Sequence, residues 1–308
     1  MDALSGQVVG GYELERQLGK GTYGQVFSAK VKNSDQRVAM KRIACNPADE
    51  CIQLLFREVS ILKSLASPVI MEVTDVVVEN SKTVWIVTPL FDSDLRVFVK
   101  QTFPDRKVPL DLVFSLTRQI VAGVAFCHSR HVWHRDLKPQ NILIDWKSRK
   151  IRIADFGLAK CVFSRLLPST RPLTHEIVTL WYRAPEVILG SSQYTAAIDV
   201  WSIGVIVLEL YSGATQFNGR SEVETLVKIF SLVGTPTASS CPESSQWPNN
   251  SVKFPLWTTA GALDRIRSRA PDVDDQWHEL VRRALDIDPR KRPCAQSLSL
   301  PDVQNSLC

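Results

Sequence analysis

The chain has 308 residues, 44% of them hydrophobic, enough for about two domains of roughly 150 residues each, which excludes a disordered or collagen-like protein. Lys and Arg number 37 against 32 Asp and Glu, and the net charge of +5 is spread along the chain. So diffuse a field makes neither nucleic acid nor a membrane surface the expected partner.

Met1–Gly11 has neither the basic start nor the apolar stretch of a secretory signal, so no export leader is expected. From Tyr12 to about Leu90, short β-rich runs surround one helix. Tyr12, Leu14 and Leu18 partly alternate with polar residues, Val26–Val31 is β-rich, and Arg37–Ile43 and Thr83–Thr88 have strand composition. The helix, predicted over about Asp49–Leu65, places Ile52, Leu55, Val59 and Leu62 at steps of three and four. After Asp94 helical patterns take over at Leu110–His128, Asp199–Tyr211, Glu222–Leu232 and Asp274–Asp286, with β-type runs only near Ile142 and Ile151.

This order predicts an α+β chain with a small β-rich lobe over residues 1–91 and a larger helical lobe over 92–308, meeting near 88–92 and together forming one domain. Thr235–Asn250, rich in Ser, Pro and Thr, reads as a surface excursion. The most apolar run, Ile203–Tyr211, holds Glu209 and is about half of the roughly 20 residues a bilayer span needs, so no membrane crossing is expected. The seven cysteines (45, 51, 127, 161, 241, 294 and 308) include no Cys-x-x-Cys pair. Ordinary thiols in a reducing compartment are therefore expected, not a disulfide framework or a zinc site.

Gly19-Lys20-Gly21-Thr22-Tyr23-Gly24-Gln25-Val26 sets three glycines between two strand-like runs. Backbone without Cβ approaches phosphates closely, although the same glycines also build plain hairpins. A dinucleotide-binding turn needs a helix next, and Val26–Val31 reads as strand. Val38-Ala39-Met40-Lys41 then puts a lysine in an apolar strand. In the helix that follows, at about 100° per residue, Glu58 falls between Leu65 and Leu62, inside the apolar arc. A carboxylate so placed needs a cation, and Lys41 is the obvious one, unless Glu58 reaches water at the edge of the stripe.

Three motifs follow in order: His134-Arg135-Asp136-Leu137-Lys138-Pro139-Gln140-Asn141, Asp155-Phe156-Gly157 and Ala184-Pro185-Glu186. Phosphoryl transfer uses such a set, with one acid to receive the attacking hydroxyl and an acid and an amide to hold Mg²⁺ against phosphates. Over nearly its whole length the sequence resembles the eukaryotic protein kinases, whose template this set matches. The resemblance implies a two-lobed kinase fold, with ATP and Mg²⁺ as cofactors and protein substrates. Lys41 would hold the α and β phosphates and pair with Glu58, Asp136 would be the catalytic base, and Asn141 and Asp155 would bind magnesium. Lys138 with Thr179 is the family's mark of serine/threonine specificity.

Within the family, Thr174-His175-Glu176-Ile177-Val178-Thr179-Leu180-Trp181-Tyr182-Arg183 resembles the cyclin-dependent kinases nearly residue for residue. The resemblance implies Ser/Thr-Pro selectivity, because Arg183 would turn the carbonyl of Val178 away from the substrate and proline has no N–H to leave unsatisfied. Thr174 matches an activating phosphosite, to be clamped by Arg57, Arg135 and Lys160. The lysine departs from the family's arginine and lacks its planar fork. Thr22 and Tyr23 match inhibitory phosphosites.

Adenine would lie among Leu18, Val26, Ala39 and Leu143 and meet the Pro89 carbonyl and the Phe91 N–H, with the ribose on Asp94 and small Thr88 at the rear. A cyclin or cyclin-like activator is implied, but where familiar members read P-S-T-A-I-R-E this chain has Gln53-Leu54-Leu55-Phe56 before Arg57-Glu58. Residence in nucleus and cytoplasm follows from the group, and Arg292 matches a family partner of Glu186. The runners-up are a nucleotide-binding scaffold with little activity and a mitogen-activated-type kinase, against which Thr174-His175-Glu176 stands in place of Thr-x-Tyr.

Overall fold

A computed structural model describes residues 4–21, 24–44, 51–80, 83–161 and 180–298, with backbone alone at 51–54, 56, 57 and 251. The β-branched and aromatic runs of the N-terminal part form one antiparallel six-stranded sheet. Its strands are β1 (Val8–Val9), β2 (Tyr12–Gly21), β3 (Gly24–Val31), β4 (Arg37–Ala44), β5 (Asp75–Asn80) and β6 (Thr83–Pro89), in the order β1-β2-β3-β4-β6-β5. Alternation along each strand decides which side chains face the helical part. Phe27, Ala29, Val38, Met40, Trp85 and Val87 fill an outer core with Val9 and Leu14. Their neighbours Val26, Ala39, Lys41, Ile86 and Thr88 therefore share the other face, where Val26 pairs with Lys41, Lys41 with Ile86 and Ala39 with Thr88.

α1 (Cys51–Ser64) crosses that inner face and ends one residue before the predicted Leu65. Leu55 packs against Ile43 and Ile86 of the sheet, whereas Ile61, Leu62 and Leu65 belong to the large core of the C-terminal part. The helix is thus seated in two cores. β5 was not predicted from the sequence: its three successive valines do not alternate with polar residues, and on this sheet edge Val78 stays 69% exposed.

Beyond Pro89 the chain forms β7 (Ser93–Asp94), α2 (Leu95–Thr102), α3 (Leu110–Ser129) and β8 (Val132–Trp133). β9 (Ile142–Ile144), β10 (Ile151–Ile153) and β11 (Lys160–Cys161) follow, and β7 joins β9 and β10 in a small sheet, with Asp94 opposite Leu143. The remaining α-helices among the described residues are α4 (Pro185–Ile188), α5 (Ala197–Ser212), α6 (Glu222–Val233), α7 (Ala262–Arg267) and α8 (Asp275–Ala284).

α2 and α7 were not predicted either. They are short, and α2 buries only Leu95 and Phe98, too few positions for a period to show. Ile203–Tyr211 is not the only apolar stretch to weigh: α3, with 20 residues, is long and apolar enough by length and composition alone to cross a bilayer. Its apolar side, with Val113, Leu116, Ile120 and Val124, is in the core. The stretch 235–250 is also more than a surface excursion. Cys241, Ser244 and Trp247 are buried, and Asn249 N–H donates to Leu189 O at 3.0 Å, because the indole and thiol fill the core behind α4. Cys127, Cys161, Cys241 and Cys294 are free thiols.

Candidate active site

Two carboxylates meet Lys41 on the inner face of the sheet. Its Nζ donates to Glu58 Oε1 at 2.8 Å and Oε2 at 3.1 Å, and to Asp155 Oδ1 at 3.4 Å. Glu58 is 6% exposed, so the carboxylate in the apolar arc of α1 is buried and its cation comes from β4. Burial alone would lower the lysine pKa, but the charges of Glu58 and Asp155 outweigh it and hold the ammonium above its ordinary value. Asp155 is shifted the other way. Burial would raise its carboxyl, and Lys41, followed by His134 and Lys138, brings it below the usual range.

The loop from His134 to Asn141 is held by a buried carboxylate of α5. Asp199 Oδ2 accepts from His134 N–H and Oδ1 from Arg135 N–H, both at 2.8 Å, and Oδ2 also lies 2.9 Å from His128 Nε2. Arg135 is left-handed at φ 71°, as is Asp155 at φ 63°, a region that non-glycine residues rarely occupy. Two bonds tie the loops that carry them: His134 Nε2 is 3.0 Å from Ala154 O, and Ala154 N–H donates to Asn141 O at 2.8 Å. The His134 ring also packs edge-on to Phe156, centroids 4.7 Å apart.

Within this frame Asp136 Oδ2 accepts from Lys138 Nζ at 2.7 Å and from Asn141 Nδ2 at 3.1 Å. Its Oδ1 is buried and has no hydrogen-bond partner among the described residues. Burial raises the Asp136 pKa against the pull of Lys138 and His134. A carboxylate fixed through one oxygen with the other unpartnered is suited to receive a proton from a positioned hydroxyl.

The donors also fit a magnesium ion. Asn141 uses its NH₂ on Asp136, at O (2.8 Å) and Oδ2, which leaves its amide oxygen for a cation, and Asp155 contributes a carboxylate. Among the described residues no group of three or more His, Cys, Asp or Glu forms a metal cage. Mg²⁺ suits such a sparse set, because it is commonly held by one or two carboxylates together with phosphates and water.

The glycine hairpin closes over the same face. Gly21 pairs with Gly24, whose φ is +143°, and a Cβ there would lie 2.0 Å from Arg42 O, so this position accepts only glycine. Nothing lies within 4 Å of a Cβ built on Gly19. Lys20 pairs with Gln25, and Leu18 is 41% exposed. Pro89 ends β6 opposite Val38, Phe91 packs on the large core, and Asp94 caps α2 by accepting from Val97 N–H at 2.8 Å.

Arg183 is buried, which lowers its pKa despite the nearby charges of Asp136 and Glu222. Lys160 Nζ lies 5.5 Å from the centre of the Trp133 ring and Arg135 5.4 Å from that of Tyr194. The two rings are neighbours at 6.5 Å. Each of these two expected phosphate-clamping cations thus rests on an aromatic face. Thr22, Tyr23, Thr174, Val178 and Thr179 lie outside the described residues, as does the side chain of Arg57. Arg292 makes a fork with Glu186 at 2.7 and 2.8 Å, both side chains almost fully buried.

Compared with known families, residues 12–300 match the protein kinase domain. The chain belongs to the protein kinase family. It is therefore a phosphotransferase with the kinase fold, an N-terminal β-sheet followed by a helical region, and protein kinases use ATP with a divalent metal and act on proteins. When bound, the metal neutralises charge on the phosphates. The sequence reading had assigned no role in the site to Asp199. Its signal was present, as an acid between buried Ile198 and Val200 in a largely apolar helix, where a structural partner makes the charge tolerable.

Proposed function

We propose that this kinase is a serine/threonine kinase of the cyclin-dependent type, transferring the γ-phosphoryl of ATP to Ser or Thr followed by Pro. The observation that carries the reading is Asp136, fixed through Oδ2 by Lys138 and Asn141, with Oδ1 buried and without a hydrogen-bond partner among the described residues. Asp136 receives the hydroxyl proton, and Lys138 neutralises charge beside it. Lys41, positioned by Glu58, contacts the α and β phosphates under the hairpin from Gly19 to Val26. Asn141 and Asp155 hold the magnesium, while Leu18, Val26, Ala39 and Leu143 enclose adenine and Asp94 meets the ribose.

Proline selectivity is supported by the buried Arg183 beside the sequence that resembles cyclin-dependent kinases. In this reading a cyclin-type partner acts on α1, and phosphate on Thr174 draws Arg57, Arg135 and Lys160 together. Residence in nucleus and cytoplasm accompanies it. The test is labelling of a Ser-Pro protein substrate by the chain with whatever partner it captures from cells, against Asp136→Asn. Labelling by the parent alone supports the reading, and equal labelling by both refutes it. Equal turnover of Ser-Pro and Ser-Ala peptides refutes proline selectivity, and unchanged activity of Thr174→Ala refutes the phosphosite.

A further inference from the structure

A cavity of about 410 Å³ opens beside the catalytic loop, between α2, Pro139 and Gln140 of the loop, and the last turn of α5. That is the size of a small-ligand pocket. Its charged lining consists of Asp94, Arg96, Lys100, Arg106 and Glu209. Both acids are already engaged. Asp94 caps α2, and Glu209 accepts from Tyr182 OH at 2.6 Å through Oε2 and from Thr215 OH at 2.8 Å through Oε1.

The three bases differ. None of them makes a side-chain hydrogen bond or ion pair with the described residues. Arg96 stands in the first turn of α2, at the positive end of the helix dipole, where a cation weakens the helix, so helix stability does not account for it. Arg106 is fixed by its backbone, left-handed at φ 58° against Gly213, where a Cβ would come within 2.8 Å of Arg106 O. Among the described residues the lining thus carries three bases against two acids, and the carboxylates spend their oxygens on neutral donors while the three cationic heads make no hydrogen bond.

Its position relates it to the reaction. Gln140 belongs to the loop of Asp136, and the Tyr182 hydroxyl on Glu209 ties the floor to the residue before Arg183. Pro139 and Gln140 put the cavity wall three and four residues beyond Asp136 in the same loop. We propose that the cavity receives an anionic side chain of the protein substrate, carboxylate or phosphate, so that the kinase favours acidic or previously phosphorylated proteins. This deepens the function proposed above and rests on its placement of the acceptor at Asp136.

The test is a peptide set with one fixed Ser-Pro acceptor and Glu, phosphoserine, Ala or Lys placed in turn at each flanking position. Phosphorylation and, in parallel, peptide affinity by fluorescence anisotropy are measured for the parent and for the folded Arg96→Glu/Lys100→Glu variant. At one position the anionic residues should exceed Lys by about tenfold in kcat/KM and in affinity, which is what a few partly exposed charge pairs supply together. The Glu and phosphoserine arms tell carboxylate from phosphate, and the variant should reverse the preference toward Lys. A flat profile, or a preference unchanged in the variant, overturns the proposal. If no peptide is labelled even with the partner that the chain captures from cells, the proposed Ser/Thr-Pro activity fails by itself, and the affinity ratio still decides whether the cavity takes an anion.

Discussion

Replacing Asp199 by Asn tests whether the catalytic loop depends on one buried carboxylate. Two backbone N–H groups point at different oxygens of Asp199, and His128 shares the oxygen that serves His134. An amide offers one acceptor. With its oxygen toward His134 and His128, its NH₂ faces the Arg135 N–H and leaves that donor buried and unsatisfied, at a cost of about 1–3 kcal/mol. Loss of charge from the two remaining bonds brings the total to about 3–5 kcal/mol. At about 2.1 cal/mol/K per residue, a chain of 308 residues has an unfolding entropy near 0.65 kcal/mol/K, so Tm should fall by about 5–8 °C.

The loop itself should loosen by a fraction of an ångström to about 1 Å, enough to lower kcat by about 100-fold. The glycine hairpin and the linker are untouched, so KM for ATP should change little. Differential scanning fluorimetry and steady-state phosphorylation of a protein substrate give both readings. An Asn variant within about 1 °C and twofold of the parent would mean that the anchor is dispensable, and the reasoning would be wrong.

Acidification probes the same group. The folded pKa of Asp199 is depressed, so its contribution is present above the unfolded value of about 3.9 and is lost as pH falls below it. Tm of the parent should therefore drop more steeply than that of Asp199→Asn below about pH 4, and parallel curves there would count against the linkage. Arg292→Leu leaves Glu186 buried without its cation and should cost about 3–5 kcal/mol in chemical denaturation. The double variant with Glu186→Leu should regain at least half of that, and a double variant as unstable as the single one refutes the pairing argument. Gly24→Ala forces a Cβ onto Arg42 O, and the hairpin should reopen at a cost of about 1–3 kcal/mol with a raised KM for ATP, whereas an unchanged KM would show that the hairpin absorbs the methyl group.

The elements that the sequence made legible are those whose burial is periodic. α1 was readable from Ile52, Leu55, Val59 and Leu62, whose spacing turns one face to a core, and β4 from its apolar strand composition, because most of that run is buried. β5 exposes part of its apolar run on an edge and α2 buries two residues, so neither writes a period into the chain. The stretch 235–250 misled through composition: its Ser, Pro and Thr speak for loop backbone, while Trp247 and Cys241 carry the burial. In the site, the pairing of Lys41 with Glu58 was arguable from helix angle and the cost of a lone buried charge. The anchoring by Asp199 was not, since it joins residues far apart in sequence through a fold that must exist first.

The double seating of α1 sets how that helix can move. Its far end is pinned through Ile61 and Leu62 in the larger half, and its near end leans on the sheet through Leu55, with Glu58 between them. A push on the sheet end therefore acts as a lever about the pinned end, and a swing of the helix axis reappears as a change in the gap between Glu58 and Lys41. Regulation from outside needs to touch neither nucleotide nor substrate. It needs only to tilt one rod whose fulcrum is already built.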